Sequence, residues 1–383
     1  MTDLERKALL PAGLRDILPP DAAFEAGIVE RLMHLFQAHG YDRVRPPLIE
    51  FEDSLLSGAG VAVAPQTFRL MDPVSQRMMG VRADITPQIA RLARTRLSGA
   101  ARPLRLSYAG EVLRVRGTQL RPERQVLQVG AELIGSAAPA ADAEIIAMAA
   151  EALGSVGVGG LSVDLTVPRL VPTVLGAHGL GDADTTPLRA ALDRKDPDGV
   201  AAHGGAAADT LVALLRATGL IGPALQALAT LDLPPVAAEE RDRVAEVAAL
   251  VAKAAPEIKL TLDPVEHRGF EYHTGIGFTI FAAGLSGELA AGGRYRAQGG
   301  GDTEGERATG VTLYVDTILA ILAPDATRRR ILLPAGGAAA VARALRADGW
   351  TAIAALEPGG DARDQARRLG CTHILGPDGP EQI

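Results

Sequence analysis

The chain has 383 residues with 47% hydrophobic side chains, 3% aromatic side chains and a formal net charge of −7. This length predicts two or three domains, and the hydrophobic content supports real cores and excludes a disordered protein. The acidic balance argues against a protein coated for nucleic acid, and the few aromatic side chains argue against stacking platforms for single-stranded bases.

The sequence offers little for a disulfide, a metal or a membrane. Cys371 is the only cysteine, which excludes an intramolecular disulfide and a CxxC-type zinc site. The histidines do not show the H-E-x-x-H spacing of metal ligands. MTDLERKALL carries charges where a signal peptide needs an apolar run, and no run of about eighteen apolar residues occurs. We therefore expect a cytoplasmic protein without metal, cofactor or membrane segment.

The first hundred residues predict helices alternating with extended segments. Apolar residues at helical spacing follow Pro20, and Gly40 is typical of a helix end. YDRVRPPLIEF is predicted to be extended, and FRLMDPVSQRMMGVR predicts a hairpin around Asp72. Thr86 is the expected N-cap of the next helix, with Pro87 at its first position.

The middle of the chain predicts two strands, LRLSYAGEVLRVR and QVLQVGAELIG, joined by an arginine-rich loop and followed by a helix from Ala140 to Leu153. Alanine-rich helical pieces from about 166 to 258 indicate an inserted helical module. Strands return at IKLTLDP, EYHTGIGFTIF and ELAAGGRY, and a helix is expected near 310–322. After Pro324 the pattern predicts a small β-α-β-α-β unit with parallel pairing.

One face of QVLQVGAEL is polar. Side chains alternate along a strand, so Gln128, Gly130 and Glu132 share a face. A glutamine and a glutamate on either side of a glycine predict a polar floor with open space above Gly130, which suits a small amine-bearing ligand. The alternative is an ordinary strand face exposed to solvent.

Two arginines precede that strand. Arg114 and Arg116 share a face of their strand, and guanidinium groups bind carboxylate or phosphate in a bidentate way. The simpler interpretation is salt bridging to Glu111 or Glu123 on a surface loop. Further along, EHRGFEYHTG holds His273 beside a tyrosine, and such a histidine is more often packed and hydrogen-bonded than catalytic.

The order of several segments is more specific than any one of them. GLRDILPP, GYDRVRPPLIE, VRADITPQIAR, GEVLRVRG…RQVLQVGAELIG, HRGFEYHTG and LAAGGRY follow one another. In this order they resemble the catalytic domain of histidyl-tRNA synthetases, from about Gly13 to Leu322. The resemblance implies the α+β fold of class II aminoacyl-tRNA synthetases, a mainly antiparallel sheet flanked by helices, with a helical insertion and a dimer interface at GYDRVRPP. It implies a synthetase-like domain over 1–323 and, over 324–383, a small α/β domain similar to a truncated anticodon-binding domain.

The resemblance also implies a histidine pocket. Its residues in this chain are Asp84, Thr86, Arg114, Gln128, Glu132, Arg268, Tyr272 and His273. By similarity, Asp84, Thr86 and Gln128 hold the amino group and Glu132 faces the imidazole. Arg268 is expected near the carboxylate. His273 stands where the synthetases have a second tyrosine, and Asp84 where they have glutamate.

The sequence departs from the synthetases where they bind ATP. The glycine-rich run that ends G-L-E-R in the family corresponds here to GVTLYVDTIL, so Thr317 replaces the arginine that holds the γ-phosphate and Tyr314 replaces the last glycine. Arg116 replaces a motif 2 glutamate, and Arg296 replaces an aspartate in AGGRYDGL. Losing a charged clamp costs orders of magnitude in this kind of chemistry, so no catalytic residues are expected.

A histidyl-tRNA synthetase-like body without ATP machinery is similar to the regulatory subunits of ATP phosphoribosyltransferase. That family implies a non-catalytic protein of histidine biosynthesis, a homodimer within a hetero-octamer with short-form catalytic subunits, L-histidine as effector and no tRNA. Two alternatives stay open. One is a divergent histidyl-tRNA synthetase; the other is a synthetase-like paralogue that acts on another substrate or only binds tRNA.

Overall fold

A computed structural model of the protein describes residues 9–117, 122–180, 186–266, 273–297, 305–323, 329–337 and 339–383. The chain forms two compact units that divide between Leu322 and Ala323. In the ranges just given, no helix has the length and apolar character needed to cross a membrane.

The first unit is built on a nine-stranded sheet. Its strands are β1 (Asp42–Arg43), β5 (Leu104–Leu113), β6 (Gln125–Ile134), β7 (Leu161–Thr166), β8 (Gly219–Leu220), β9 (Lys259–Asp263), β10 (His273–Ala282), β11 (Ala290–Ala297) and β12 (Glu306–Tyr314). They lie in the order β1-β5-β6-β12-β11-β10-β7-β9-β8. Only β1–β5 and β7–β9 pair in parallel in this sheet. The predicted class II, mainly antiparallel architecture is confirmed.

A smaller sheet of β2 (Ile49–Phe51), β4 (Met78–Val81) and β3 (Phe68–Met71) lies in the same unit. β3 and β4 form the predicted hairpin. Asp72 shapes the turn, because its carboxylate accepts hydrogen bonds from the backbone N–H groups of Val74 and Ser75.

Helices cover the large sheet and form the predicted alanine-rich module. They are α1 (Asp21–Ala38), α2 (Glu52–Leu55), α3 (Thr86–Thr95), α4 (Pro139–Ser155), α5 (Leu170–Ala177), α6 (Thr186–Asp193), α7 (Pro197–His203), α8 (Ala208–Arg216), α9 (Ile221–Ala229), α10 (Pro235–Ala254) and α11 (Val315–Leu319). The alternating side chains Val129, Ala131 and Leu133 of β6 are buried in one core with residues of α1 and α4. The opposite face of β6 is therefore the one that carries the polar side chains.

The prediction of a helix near 310–322 is mostly wrong. Residues up to Tyr314 belong to β12, and α11 spans only Val315–Leu319. Gly310 to Tyr314 pair with β6 on one side and β11 on the other, so inter-strand hydrogen bonds override the local helical pattern.

The second unit is a four-stranded sheet with two helices. Its elements are β13 (Arg330–Leu333), α12 (Ala339–Ala347), β14 (Thr351–Ala354), α13 (Ala362–Arg368), β15 (His373–Gly376) and β16 (Gly379–Gln382). β13 pairs in parallel with both β14 and β15, as predicted. The pattern did not predict β16, which returns antiparallel to β15.

A buried ion pair joins α4 to the sheet. Both Nε and Nη2 of Arg294 on β11 donate to Oδ2 of Asp142, at 3.0 and 2.8 Å. The same guanidinium also donates to the carbonyl oxygens of Ser136 and Ala138, which precede α4. The side chains of Arg294 and Asp142 are only 1% and 2% exposed, so each charge depends on the other for its compensation.

Removing one partner of this pair is expected to destabilise the first unit strongly. Asp142→Ala leaves the Arg294 guanidinium buried beside carbonyl oxygens only, and we expect the free energy of unfolding to fall by about 3–5 kcal/mol. Urea unfolding followed by circular dichroism measures it. The matched control is Glu30→Ala, which breaks the exposed pair with Arg43 and is expected to cost less than about 1 kcal/mol. Equal losses in the two variants would contradict the prediction.

Candidate functional site

A buried glutamate lies on an interior strand of the large sheet. Glu132 on β6 is opposite Leu106 of β5 and Gly310 of β12, and it is 1% exposed. A Cβ atom at Gly310 would collide with the Glu132 carboxylate, so the glycine makes room for it. The alternative of a solvent-facing strand is therefore wrong.

Hydroxyl groups from three elements surround the Glu132 carboxylate. Thr86 Oγ1 donates to Oε1 at 2.9 Å, and the Tyr295 hydroxyl donates to Oε2 at 2.9 Å. The Tyr108 hydroxyl lies 3.5 Å from Oε1. Burial raises the pKa of Glu132 to about 8, although the hydrogen bonds from Thr86 and Tyr295 act in the opposite direction. With this pKa the carboxyl group is mostly protonated at neutral pH.

The predicted open space above Gly130 is wrong. A Cβ atom at Gly130 would meet the ring and hydroxyl of Tyr108, which lies directly opposite on β5. Tyr108 fills the floor between Gln128 and Glu132, and its hydroxyl is 3.0 Å from Thr312 Oγ1. Sequence reasoning missed Tyr108 and Tyr295, and only the pairing of the strands identifies them as neighbours of Glu132.

Gln128 and Asp84 meet at the start of α3. The backbone N–H of Ile85 donates to Gln128 Oε1 at 3.2 Å and to Asp84 Oδ1 at 2.8 Å. Ile85, not Thr86, occupies the N-cap position of α3, so the predicted cap is wrong. The Thr86 side chain points to Glu132 instead, because a buried carboxylate needs hydrogen-bond donors.

His273 lies close to Thr86 and Glu132. It is paired with Tyr295 across β10 and β11 and is 7% exposed. Burial lowers its pKa to about 3, so its imidazole is neutral at physiological pH. With Thr86 and Glu132 it lines a cavity of about 20 Å³, room for about one water molecule. The described ranges contain no cluster of three His, Cys, Asp or Glu side chains that could hold a metal.

The structure does not bring every predicted site residue together. Arg114 lies four residues beyond Gly110, which pairs with Gln128, and is therefore roughly 13 Å further along the strand. The simpler interpretation predicts a salt bridge from Arg114 or Arg116 to Glu111 or Glu123. Among the residues described, no such salt bridge forms. Two predicted pocket residues, Arg268 and Tyr272, lie outside the described residues.

The end of β12 differs from an ATP-binding motif. Tyr314 is the last residue of β12, opposite Gln128, and Thr317 lies within α11. Between them, Asp316 pairs with Arg15 from the N-terminal segment at 3.2 Å. Arg296 donates to the carbonyl oxygen of Gly305. Thr317 therefore presents an uncharged hydroxyl, not a cation, at this point of α11.

The sequence is similar to that of several known proteins. The sequence profile of the histidyl-tRNA synthetase family matches residues 13–318. An ATP phosphoribosyltransferase regulatory subunit of Paramagnetospirillum magneticum is 58% identical over 383 residues, which is 100% of each chain. One from Rhodospirillum centenum is 59% identical and covers 96% of this chain and 94% of its own.

A solved structure shows the same fold. The ATP phosphoribosyltransferase regulatory subunit/histidyl-tRNA synthetase from Bacillus halodurans C superimposes with a TM-score of 0.79 at 23% identity, covering 94% of this chain and 96% of its own. The resemblance inferred from the order of the segments is thus confirmed. The chain belongs to the histidyl-tRNA synthetase family and, within it, to the ATP phosphoribosyltransferase regulatory subunits.

Proposed function

We propose that this chain is the non-catalytic regulatory subunit of an ATP phosphoribosyltransferase, needed for the first step of histidine biosynthesis and for its inhibition by histidine. The observation that carries the proposal is 58% identity over the whole chain to a regulatory subunit of that enzyme. Thr317 and Tyr314 support it, because adenylation needs a cation where Thr317 stands and open space where Tyr314 stands.

The partner of this proposal is a short-form catalytic subunit. A solved ATP phosphoribosyl transferase (HisG:HisZ) complex from Thermotoga maritima contains a chain of this fold, with a TM-score of 0.59 at 17% identity, covering 76% of this chain and 97% of its own. A homodimer within a cytoplasmic hetero-octamer is the expected assembly. Exposed Leu48 and Ile49, beside the predicted dimer segment, support the homodimer. We interpret the second unit as a truncated anticodon-binding domain that binds no tRNA.

L-Histidine is the proposed effector, bound in the pocket around Glu132. The carboxylate can accept a hydrogen bond from an imidazole N–H, while Thr86 and Gln128 supply oxygen atoms for an amino group. Asp84, His273, Arg268 and Tyr272 complete the proposed pocket, and Arg114 is proposed only for its edge. The cavity of about 20 Å³ beside Thr86, Glu132 and His273 is smaller than a histidine, and the proposed pocket extends beyond it to Gln128 and Asp84, which do not line that cavity.

The proposed mechanism of regulation is linkage between histidine binding and the conformation of the chain. Histidine can shift the equilibrium between closed and open conformations only by the difference in its affinity for the two. A conformation with little space around Glu132 would bind histidine less tightly than a conformation with more space. Histidine would therefore select the open state, and a catalytic subunit that contacts the two states differently would respond.

Mixing this chain with a short-form catalytic subunit is expected to increase phosphoribosyl-ATP formation, and adding L-histidine is expected to reduce it. The reason is that the catalytic subunit depends on the conformation of its partner. Product formation is measured with each chain alone and with both. Absence of co-purification together with an unchanged rate would sink the regulatory proposal.

The isolated chain serves as the control for the rival function. With Thr317 in place of the arginine clamp, histidine-dependent ATP–pyrophosphate exchange is expected to be undetectable. Measurable exchange would favour a divergent synthetase instead.

Glu132→Ala is expected to weaken L-histidine binding by roughly tenfold to a hundredfold, because the imidazole loses its hydrogen-bond partner. Isothermal titration calorimetry of the isolated chain and of the complex measures this. The matched control is Glu151→Ala, which removes an exposed carboxylate on α4. An affinity that is the same in wild type and Glu132→Ala would remove this pocket from the proposal.

Glu132→Gln is expected to change how stability depends on pH. Because burial raises the pKa of Glu132 from 4.5 to about 8, the folded chain keeps a proton that the unfolded chain releases. The wild type therefore loses stability as the pH rises from about 4.5 to about 8, and then levels off. The glutamine variant lacks this titration. Across that pH window, the difference between its free energy of unfolding and that of the wild type should therefore shift in favour of the variant, by something on the order of 4 kcal/mol. Urea unfolding at several pH values checks this, and parallel curves would contradict it.

A further inference from the structure

The second unit has a cavity at the carboxyl ends of its parallel strands. From β13 the chain passes through α12 to β14 on one side, and then through α13 to β15 on the other side of β13. The two helices cover opposite faces, since Ala342 of α12 packs with Ile331 and Ala366 of α13 packs with Leu332. Such a reversal of strand order opens a crevice, and open α/β sheets bind ligands at this point.

The cavity has a volume of about 150 Å³. Aliphatic side chains form most of its wall: Leu332, Leu333, Ala355, Ala362, Ile374 and Leu375. Gly359 and Gly360 border it with φ values of +98° and +85°, a conformation that other residues rarely adopt. The space suits a small organic group with an apolar body.

Two polar side chains face this apolar wall. Glu357 and Gln365 line the cavity, and neither makes a side-chain hydrogen bond or ion pair within the described part of the chain. Glu357 can only accept hydrogen bonds when ionised, and Gln365 can both donate and accept. A bound group that donates hydrogen bonds or carries positive charge therefore finds unengaged partners.

The same walls disfavour a phosphate or carboxylate ligand. No lysine or arginine is among the lining residues. The first N–H groups of α13 are already engaged, because the Asp361 carboxylate accepts from Arg363 at 2.8 Å and from Asp364 at 3.4 Å. An anion at this point would meet the charge of Glu357 without a compensating cation.

We propose that this cavity binds a small amine or a protonated nitrogen heterocycle. Its charged nitrogen lies against Glu357, its second polar atom meets Gln365, and its apolar body lies against Leu332 and Ile374. This site is separate from the pocket around Glu132 and does not depend on the proposed regulatory function.

Histamine is a suitable probe, because it has an amine and a ring nitrogen but no carboxylate. The full chain carrying Glu132→Ala, which removes the acceptor of the other pocket, is labelled on its isoleucine and leucine methyl groups and titrated by NMR. The methyl signals of Leu332, Leu333, Ile374 and Leu375 are expected to shift with saturation. Inorganic phosphate, titrated in parallel, is expected to leave them unchanged.

Two variants and one control test the assignment. Glu357→Gln is expected to weaken histamine binding by roughly fivefold, since an exposed charge contributes modestly. Ala362→Phe, which starts from an exposed helix position, is expected to fill the cavity and abolish binding. Asp378→Asn removes an exposed carboxylate from the turn between β15 and β16 and should change nothing. Thermal melts followed by fluorescence of Trp350, the only tryptophan of the chain, verify that each variant is folded.

The proposal is overturned by several results. One is the absence of any shift of the four lining residues with histamine. Another is unchanged binding in folded Glu357→Gln and Ala362→Phe. A third is an equal response to inorganic phosphate, which would identify an anion site. None of these outcomes bears on the activity of the complex with the catalytic subunit, so the two proposals can fail separately.

Discussion

The burial of one carboxyl group links most of the first unit. Glu132 lies on an interior strand of a nine-stranded sheet and requires hydrogen-bond donors that its own strand cannot supply. Thr86 comes from the start of α3, Tyr108 from β5 and Tyr295 from β11, so the register of two strands and the position of a helix must agree around it. Gly310 adds a steric condition, since any side chain there would displace the carboxylate. A slip of one residue in any of these strands would turn a required side chain to the other face.

The sequence predicted the polar face but not how it is filled. Alternation along a strand is a local property, so Gln128 and Glu132 could be assigned to one face without knowing the neighbouring strands. Tyr108 depends on the pairing of β5 with β6, and a single sequence does not specify that register. The helix expected near 310–322 failed for a related reason, because Gly310 to Tyr314 are held by strands on both sides. The fold itself was predictable from the order of the motifs, whereas the size of the cavity was not.

The site shows which part of a synthetase body is retained and which part is lost. The carboxylate and hydroxyl groups that suit an imidazole and an amino group lie within hydrogen-bond distance of one another around Glu132. After the end of β12, Thr317 has no charge to offer a phosphate, and Asp316 pairs with Arg15 of the N-terminal segment. Binding an amino acid needs only the groups around Glu132, while activating it with ATP also needs a cation for the phosphates. A chain with this combination is suited to recognise a ligand without transforming it.

A nearly filled cavity also constrains how a ligand could act. Tyr108 occupies the floor above Gly130 and His273 lines the space beside Glu132, so a ligand competes with the protein's own side chains for the same donors and acceptors. Moving Tyr108 leaves Thr312 and the carboxyl group without one partner, and a ligand that restores those hydrogen bonds offsets the loss. A rearrangement of these side chains would change the shape of the site, and a change of shape is what a neighbouring subunit can detect.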